Sequence, residues 1–371
     1  MNLVISQFSE WDNAIFDSFI DLKKELQGHL KTYFPETLED YKKLLHPDSP
    51  FSEDYEWRGF LLHEGSTLVG KAILAWRKNS KTGNLGFIDW INNEEVANTL
   101  MRAVEKFAKE KNLDNIKTPI DLNFFVKYRL KSKGGGAPYY GEPIYPDYYE
   151  DLFVASGYSI VGKWDTYHIQ RFATFVDMFK KRKKMEKRKH AYIGKVNIRV
   201  IKIWDWDNEL KIVYDLFVRS FSEMKEFEPI TFEQFRLIYD DFRYIVHPVM
   251  SYIAELDGVP VGFSISYPDP LEILSKVKNQ KLGPVKKAIL LMKLKMNFKT
   301  LLIPYMGKVP GPNGEDIKGI FLKFAKLITV GVATADKALV CYQSEDSPSR
   351  RPLDPNLSKL YASYVLYGKK L

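Results

Sequence analysis

A strand pair is written into this chain twice. Phe60-Leu61-Leu62-His63-Glu64-Gly65-Ser66-Thr67-Leu68-Val69-Gly70-Lys71 recurs as Ile253-Ala254-Glu255-Leu256-Asp257-Gly258-Val259-Pro260-Val261-Gly262-Phe263, 192 or 193 positions later. Each copy is an apolar strand, an acidic residue followed by Gly, and a second strand with a Gly in its interior. Glu64-Gly65 and Asp257-Gly258 are expected to supply the positive φ of a tight hairpin turn. Gly70 and Gly262 mark a bulge or a close backbone approach. The period is far too long for a solenoid. It predicts two domains of one fold, residues 1–178 and 192–371, joined by a basic linker at 179–191.

The bulk numbers agree with that division. A chain of 371 residues has room for two domains, each with its own core. With 45% hydrophobic and 27% charged residues it has a globular composition. No apolar run is long enough for a membrane-spanning helix, and the residues Met1 to Gln7 do not read as a secretory signal. Cys341 is the single cysteine, so an intramolecular disulfide is impossible and a cytoplasmic setting is expected. Cys341 itself reads as a buried strand residue. The six histidines are scattered, with no i, i+4 pair, so no metal site is expected.

Periodicity supplies the elements. Asn2–Gln7 reads as a strand and Trp11–Tyr33 as a helix. After the first hairpin comes a strand at Leu85–Ile91. A strong helix follows at Glu94–Lys111, with Val96, Leu100, Val104 and Phe107 on one face. Ile116–Phe125 reads as a strand, Pro146–Ala155 as a short helix, and Tyr158–Arg171 as a closing strand. The second half replays the order. Its strand is Val196–Ile203, its helices are Asp207–Ser222 and Ile230–Phe242, and its hairpin lies at Ser251–Tyr267. A strand at Leu301–Val309, a helix at Ile317–Ile328 and strands at Ala338–Ser344 and Leu360–Gly368 complete it.

Two basic segments stand out. Lys180 to Lys189 holds eight cations and one anion. It reads as a solvated linker or as a contact for anionic lipid or nucleic acid, with no interleaved aromatics for base stacking. Lys276–Thr300 mixes lysines with Ile289, Leu290, Met292, Met296 and Phe298. It reads either as a helix covering the core or as an element lying in a membrane interface.

The order strand, helix, helix, hairpin, strand, helix, strand, helix, strand resembles the GCN5-related N-acetyltransferase (GNAT) fold in both halves. The likeness is to large bacterial two-domain proteins of that type, which carry a Pro- and Tyr-rich stretch before a short helix. Here that stretch runs from Ala137-Pro138-Tyr139-Tyr140 through Pro146-Asp147-Tyr148-Tyr149 to Leu152. The resemblance implies two tandem α/β (α+β) domains, each a mixed, mostly antiparallel twisted sheet with helices on both faces. It also implies transfer of an acyl group to an amine from acetyl-CoA or a longer acyl-CoA, held between two splayed parallel strands, with its pyrophosphate at a helix start.

The family's phosphate loop has a basic residue followed by small residues. In the first domain its place is taken by Asn92-Asn93-Glu94-Glu95-Val96-Ala97, which lacks glycine and carries two carboxylates, so that domain reads as degenerate. In the second, Gly311-Pro312-Asn313-Gly314-Glu315-Asp316 departs from the pattern less, although Asp316 also suits a helix N-cap. The resemblance therefore places the carrier on Met306, Gly307, Val309, Gly311, Asn313, Gly314 and Ile317. A carboxylate to help deprotonate the amine and a Tyr to protonate the departing thiolate are implied at Glu345, Asp346 and Tyr361. A catalytically inactive binding or scaffold protein on the same fold is the alternative. A lipid amine substrate at the surface of the inner membrane is another. Nucleic acid is not an expected partner.

Overall fold

The computed structural model describes residues 2–30, 33, 35–134, 136–170, 196–224, 227–277, 284–310, 320–331, 335–345 and 358–371. The basic run Lys180–Lys189, the expected loop residues Gly311, Asn313, Gly314 and Ile317, and Asp346 lie outside the described residues.

The described chain forms two compact units. The first comprises Met1–Lys133, Gly141–Lys163 and Tyr364–Leu371, and the second Gly134–Tyr140 and Trp164–Ser363. In chain order the first half gives β1 (Leu3–Phe8), α1 (Asn13–Gln27), α2 (Leu38–Leu45), β2 (Tyr55–Glu64), β3 (Thr67–Arg77), β4 (Thr82–Trp90), α3 (Glu94–Glu110) and β5 (Asn115–Thr118). Short strands β6 (Ile120–Asp121), β7 (Lys127–Tyr128) and β8 (Leu130–Lys133) precede α4 (Tyr149–Ala155) and β9 (Ser159–Gln170). The second half gives β10 (Val196–Val200), α5 (Trp206–Phe221), α6 (Phe232–Tyr239), β11 (Tyr252–Leu256), β12 (Val259–Pro268), α7 (Leu271–Val277) and α8 (Pro284–Met296). It ends with β13 (Thr300–Lys308), α9 (Ile320–Gly331), β14 (Lys337–Ser344) and β15 (Ser358–Lys370).

Each unit has the same sheet. In the first, β1 to β4 are joined antiparallel in sequence order, and β4 pairs β5 in parallel. In the second, β10 to β13 repeat that order, and β13 pairs β14 in parallel. The sixth strand of each sheet comes from the other half of the sequence. Residues Tyr367–Lys370 of β15 pair antiparallel with β5 in the first unit. Residues Trp164–Gln170 of β9 pair antiparallel with β14 in the second.

The duplicated hairpins match in register. Leu62 faces Gly70 and His63 faces Leu68, so β3 carries one extra residue just before its glycine. Ala254 faces Gly262 and Glu255 faces Pro260, which puts the same bulge before the second glycine. The turns differ. Asp257 and Gly258 both have positive φ, at 50° and 80°. In the first hairpin Glu64 pairs with Thr67 as a strand residue, and Gly65 alone, at φ 61°, takes the left-handed position. Both copies remain two-residue loops whose twist suits a hairpin.

Helix α3 buries Val96, Leu100, Val104 and Phe107, as its period requires, together with Ala97, Met101 and Ala108. Helices α2 and α6 open with the same device. Thr37 and Thr231 each cap the amide three residues on, and Asp40 and Gln234 reach back to the cap amide. Periodicity predicts no helix at Leu38–Leu45, a segment too short to show a clear period. The expected strand Ile116–Phe125 stops at Thr118, before Pro119, which cannot donate to the ladder.

Candidate functional site

The parallel pair in each unit is short, and the course of its two strands beyond the last shared pair decides what can bind. In the second unit β13 and β14 pair only from Thr300↔Lys337 to Ile303↔Val340. Beyond that point β13 stays with β12 and β14 stays with β9. Both strands bulge at the separation, at Ile303–Pro304 and at Cys341–Tyr342, and Tyr342 takes a φ of 55°. Positive φ is uncommon for a bulky side chain and marks a constrained position.

Ladder parity tells which peptide groups face the gap. The Val309 amide donates to the Val261 carbonyl at 2.9 Å. Residues on an antiparallel strand alternate between facing and turning away from the neighbour, so Val309 and Gly307 are committed to β12. Met306 and Lys308 turn toward the side from which β14 has departed. Of the residues expected here, Met306 is therefore placed to meet a carrier through its backbone. Lys308, absent from the expected set, is placed likewise; the parity signal needs the register and is invisible in sequence.

The first unit has the same divergence after Asn84↔Lys117, but its own chain occupies the space. The Phe87 amide donates to Asp121 Oδ1 at 2.6 Å, and Asn84 Nδ2 donates to the Leu122 carbonyl at 3.1 Å. A Cβ on Gly86 would lie 2.1 Å from the Ile120 carbonyl oxygen. Trp90 stands at the position equivalent to Lys308, and two tyrosines of the Pro- and Tyr-rich stretch take its peptide groups. Its amide donates to Tyr149 Oη at 3.2 Å, and its carbonyl accepts from Tyr148 Oη at 2.7 Å. At the start of α3, Asn93 Oδ1 already accepts from the Glu95 and Val96 amides, with Glu94 and Glu95 adding negative charge. An incoming pyrophosphate meets neither free amides nor a favourable field there.

On the face of the sheet beneath the first two helices, the two units differ at equivalent positions; the second keeps its buried ions, Arg199 with Glu209 and Glu255, on β10, α5 and β11. The first unit holds ionisable groups in its interior. Lys71, with no exposed side-chain surface, lies 3.0 Å from Asp89 and donates to Tyr41 Oη at 3.3 Å, with its ammonium 4.4 Å from the Phe19 ring centre. Asp89 also accepts from Gln27 Nε2 at 2.7 Å and from Tyr149 Oη at 3.1 Å. Glu36 pairs with Lys23 and accepts from Tyr41 Oη at 2.6 Å. Burial lowers the Lys71 and Lys127 ammoniums and raises the Asp121 carboxyl, each only partly countered by opposite charges. For Glu36 the net shift is down, to about 2, because Lys23, Lys71 and Lys127 outweigh its burial.

The second unit has Phe263 and Gly307 where the register puts Lys71 and Asp89 in the first. A Cβ on Gly307 would lie 2.5 Å from the Phe263 ring. Around them Phe217, Phe235, Phe242, Ile265 and Tyr305 line an apolar cavity of about 30 Å3. Near the strand separation Tyr267 is raised well above the usual phenol range by burial, with Tyr305, Cys341, Tyr342 and Tyr140 around it. Asp269, buried at the end of β12, accepts from the Tyr140 and Leu271 amides at 3.1 and 3.0 Å, and burial pushes it up to about 6.

The remaining expected residues are dispersed. Tyr361 donates to the Ala137 carbonyl, and its ring lies 5.3 Å from the Lys337 ammonium. Lys337 opens β14, so Tyr361 sits at the end where β13 and β14 are still bonded, away from the separation. Glu345 is exposed in the turn after β14. Cys341 is buried, as expected of a strand residue. Among the described residues no three His, Cys, Asp or Glu side chains converge on a metal-binding group.

No protein-family model matches the chain. The protein YghO of Escherichia coli (strain K12) is 26% identical over 303 residues, spanning 78% of this chain and 75% of that protein. A tandem GNAT protein from the clavulanic acid biosynthesis pathway matches in structure over 100% of this chain and 98% of its own, with a TM-score of 0.53 and 11% identity. A GCN5-related N-acetyltransferase from Anabaena variabilis matches over 99% of this chain and 73% of its own, at 0.53 and 10% identity. The chain has the tandem GNAT fold.

Proposed function

We propose that this protein transfers an acyl group from a coenzyme A thioester to an amine, with the carrier held by the second unit. One observation carries the choice of unit. In the second unit the ladder turns the Met306 backbone toward the side from which β14 has departed, whereas the equivalent edge of the first is taken by Asp121, Tyr148 and Tyr149. The fold likeness supports the reaction class, and the thioester supplies the activated acyl group.

The residues of the second unit then divide the work. Met306 would pair with the carrier's amide groups as an added strand does. Gly311, Asn313 and Gly314 remain the proposed phosphate contacts. The amine must reach the carbonyl carbon unprotonated, and the sulfur must leave with a proton. Tyr342 is favoured over Tyr361 for that proton, because it stands two residues past the last β13–β14 pair. Calorimetry with acetyl-CoA and a longer acyl-CoA tests the reading, with hydrogen exchange locating the contact. Protection of residues 300–310 without protection of 82–92 is expected, and weaker binding by Gly314→Asp. Absence of heat with every thioester would end the proposal.

A second reading concerns the surface on which the enzyme works. On α8, Ile289, Met292 and Met296 are 43%, 59% and 75% exposed and follow one helical stripe. Lys286 and Lys293 on the same helix are also exposed. Phe298, expected in the same patch, is instead buried with its ring 5.6 Å from that of His247, and Leu294 is buried too. The exposed stripe supports contact with an anionic lipid surface, and thus a lipid amine as substrate. Sedimentation with anionic vesicles is expected at low salt and lost in Lys286→Glu with Lys293→Glu. Sedimentation indifferent to both salt and that variant rules it out. Among the described residues no helix is long and apolar enough to cross a membrane.

A further inference from the structure

We propose that the apolar cavity of the second unit is the pocket for the donor's acyl chain, so that the donor is a thioester with an apolar chain longer than acetyl. The inference rests on the acyl-transfer reading above and names its substrate class. The position of the cavity supports it first. The cavity lies between α5, α6 and the β12–β13 pair, and Tyr305 in its wall is the second residue beyond Ile303, the last β13 residue paired with β14. A thioester seated at the separation, with its acyl group turned to the helical face, therefore meets Tyr305 and its cross-strand partner Ile265 first.

The chemistry of the lining supports it independently. The two units share the hairpin register, yet Lys71 and Asp89 of the first are Phe263 and Gly307 in the second. The helix opened by a Thr cap places Tyr41 beneath the sheet in one unit and Phe235 in the other, each four residues past its Thr. In the first unit this face is filled by a network of hydrogen-bonded ions. In the second, apolar groups take the positions of Lys71, Asp89 and Tyr41 and leave space unfilled, while its buried ions, Arg199 with Glu209 and Glu255, lie toward β10. Interiors close-pack, so an unfilled apolar space beside a substrate cleft is a place for a substrate group. About 30 Å3 of accessible space has room for about two water-sized groups, and an apolar lining does not hold water well. The space is of the size of the first carbons of a chain beyond acetyl, and the cavity is partly open, so the chain can continue outward.

The test compares acetyl-, butyryl-, hexanoyl- and octanoyl-CoA by calorimetry on the full chain. Affinity should rise about fourfold for each methylene that enters the apolar lining, then level off. Val213→Phe, which fills the cavity from α5, should flatten that dependence while acetyl-CoA still binds. Phe235→Leu, which enlarges it, should move the plateau to a longer chain. Each variant's circular dichroism must match the parent, and the opposite directions guard against a folding defect in either one. Acetyl-CoA binding with no length dependence, or an unchanged profile in both variants, overturns the pocket and leaves acyl transfer standing. Failure of every thioester to bind the parent overturns acyl transfer, and the pocket falls with it.

Discussion

Replacing Asp89 by Asn removes the carboxylate bonded to Lys71, leaving only the more distant Glu36, while keeping the shape and the hydrogen bond to Gln27 within reach. Lys71 has no exposed side-chain surface and Asp89 only 2%. An unpaired ammonium in that position must either stay charged without solvent or give up its proton. Losing the proton sets a ceiling on the cost. From an ordinary lysine pKa of about 10.4, deprotonation costs about 4.6 kcal/mol at pH 7 and about 1.9 kcal/mol at pH 9. Breaking one side of a buried pair typically costs about 3–5 kcal/mol, which meets that ceiling. Asp89→Asn should therefore destabilise the first unit by about 3–5 kcal/mol at pH 7.

The pH dependence carries the sign. In the variant the folded state holds Lys71 neutral while the unfolded chain holds it protonated, so unfolding takes up a proton. Stability then rises with pH, and the deficit should narrow by about 1.4 kcal/mol per unit between pH 7 and 9. Lys71→Met added to Asp89→Asn removes the stranded ammonium and should recover most of the loss. Urea titration read by hydrogen exchange in β3 and β4 isolates the first unit. A deficit below about 1 kcal/mol at pH 7, or one that ignores pH, would refute the reasoning.

Four further variants test local geometry. Gly70→Ala should be tolerated within about 1 kcal/mol, since its Cβ meets Val96 and Leu100 side chains at 3.4 and 3.6 Å. Gly262→Ala should cost about 1–3 kcal/mol, because its Cβ meets the Gly307 carbonyl oxygen at 3.1 Å and Ile320 at 3.3 Å; thermal melts of both compare them directly. With Asp269 raised to about 6, the folded state binds a proton that the unfolded chain has lost. Stability should fall as pH rises from about 4 to about 6, by about 3 kcal/mol at most, and Asp269→Asn should abolish that slope in urea melts. Tyr342→Phe should slow transfer from an alkyl thioester at least tenfold and spare a thioester of an acidic aryl thiol, which leaves without a proton; equal slowing of both would assign Tyr342 a structural role.

What the sequence disclosed was whatever is local. Gly65, Asp257 and Gly258 announce their turns by their own backbone freedom, and Val96, Leu100, Val104 and Phe107 announce their face by spacing. The Pro- and Tyr-rich stretch was visible as a motif, but its role was not. That role depends on Tyr148 and Tyr149 meeting Trp90, 58 and 59 residues away. The Lys71–Asp89 pair was hidden for the same reason: in a chain with 55 cations and 47 acids no pairing stands out until a register is fixed. The exchange of β9 and β15 was hidden more deeply, since both are apolar closing strands of similar pattern and either satisfies a sheet edge.

Tyr361 shows why such gaps matter for a site. Its place in the sequence, on a terminal strand after a short connection, matched the expected proton donor. Its place in space is set by the Ala137 carbonyl and Lys337 at the bonded end of β14, whereas Tyr342 owes its position to a bulge that only the ladder reveals. The division between units has the same origin. Sealing the first cleft needed a hairpin to bring Asp121 to Phe87 and a helix to bring two tyrosines to Trp90, all within one unit. Those groups satisfy the backbone atoms that a carrier would need, so a carrier bound there would have to break those hydrogen bonds. The second unit has a Phe and a Gly at the positions where the first has its buried ion pair. The duplication thus leaves one copy closed by its own polar groups and the other with apolar space beside its strand separation, which is where a transferred acyl chain has something to gain.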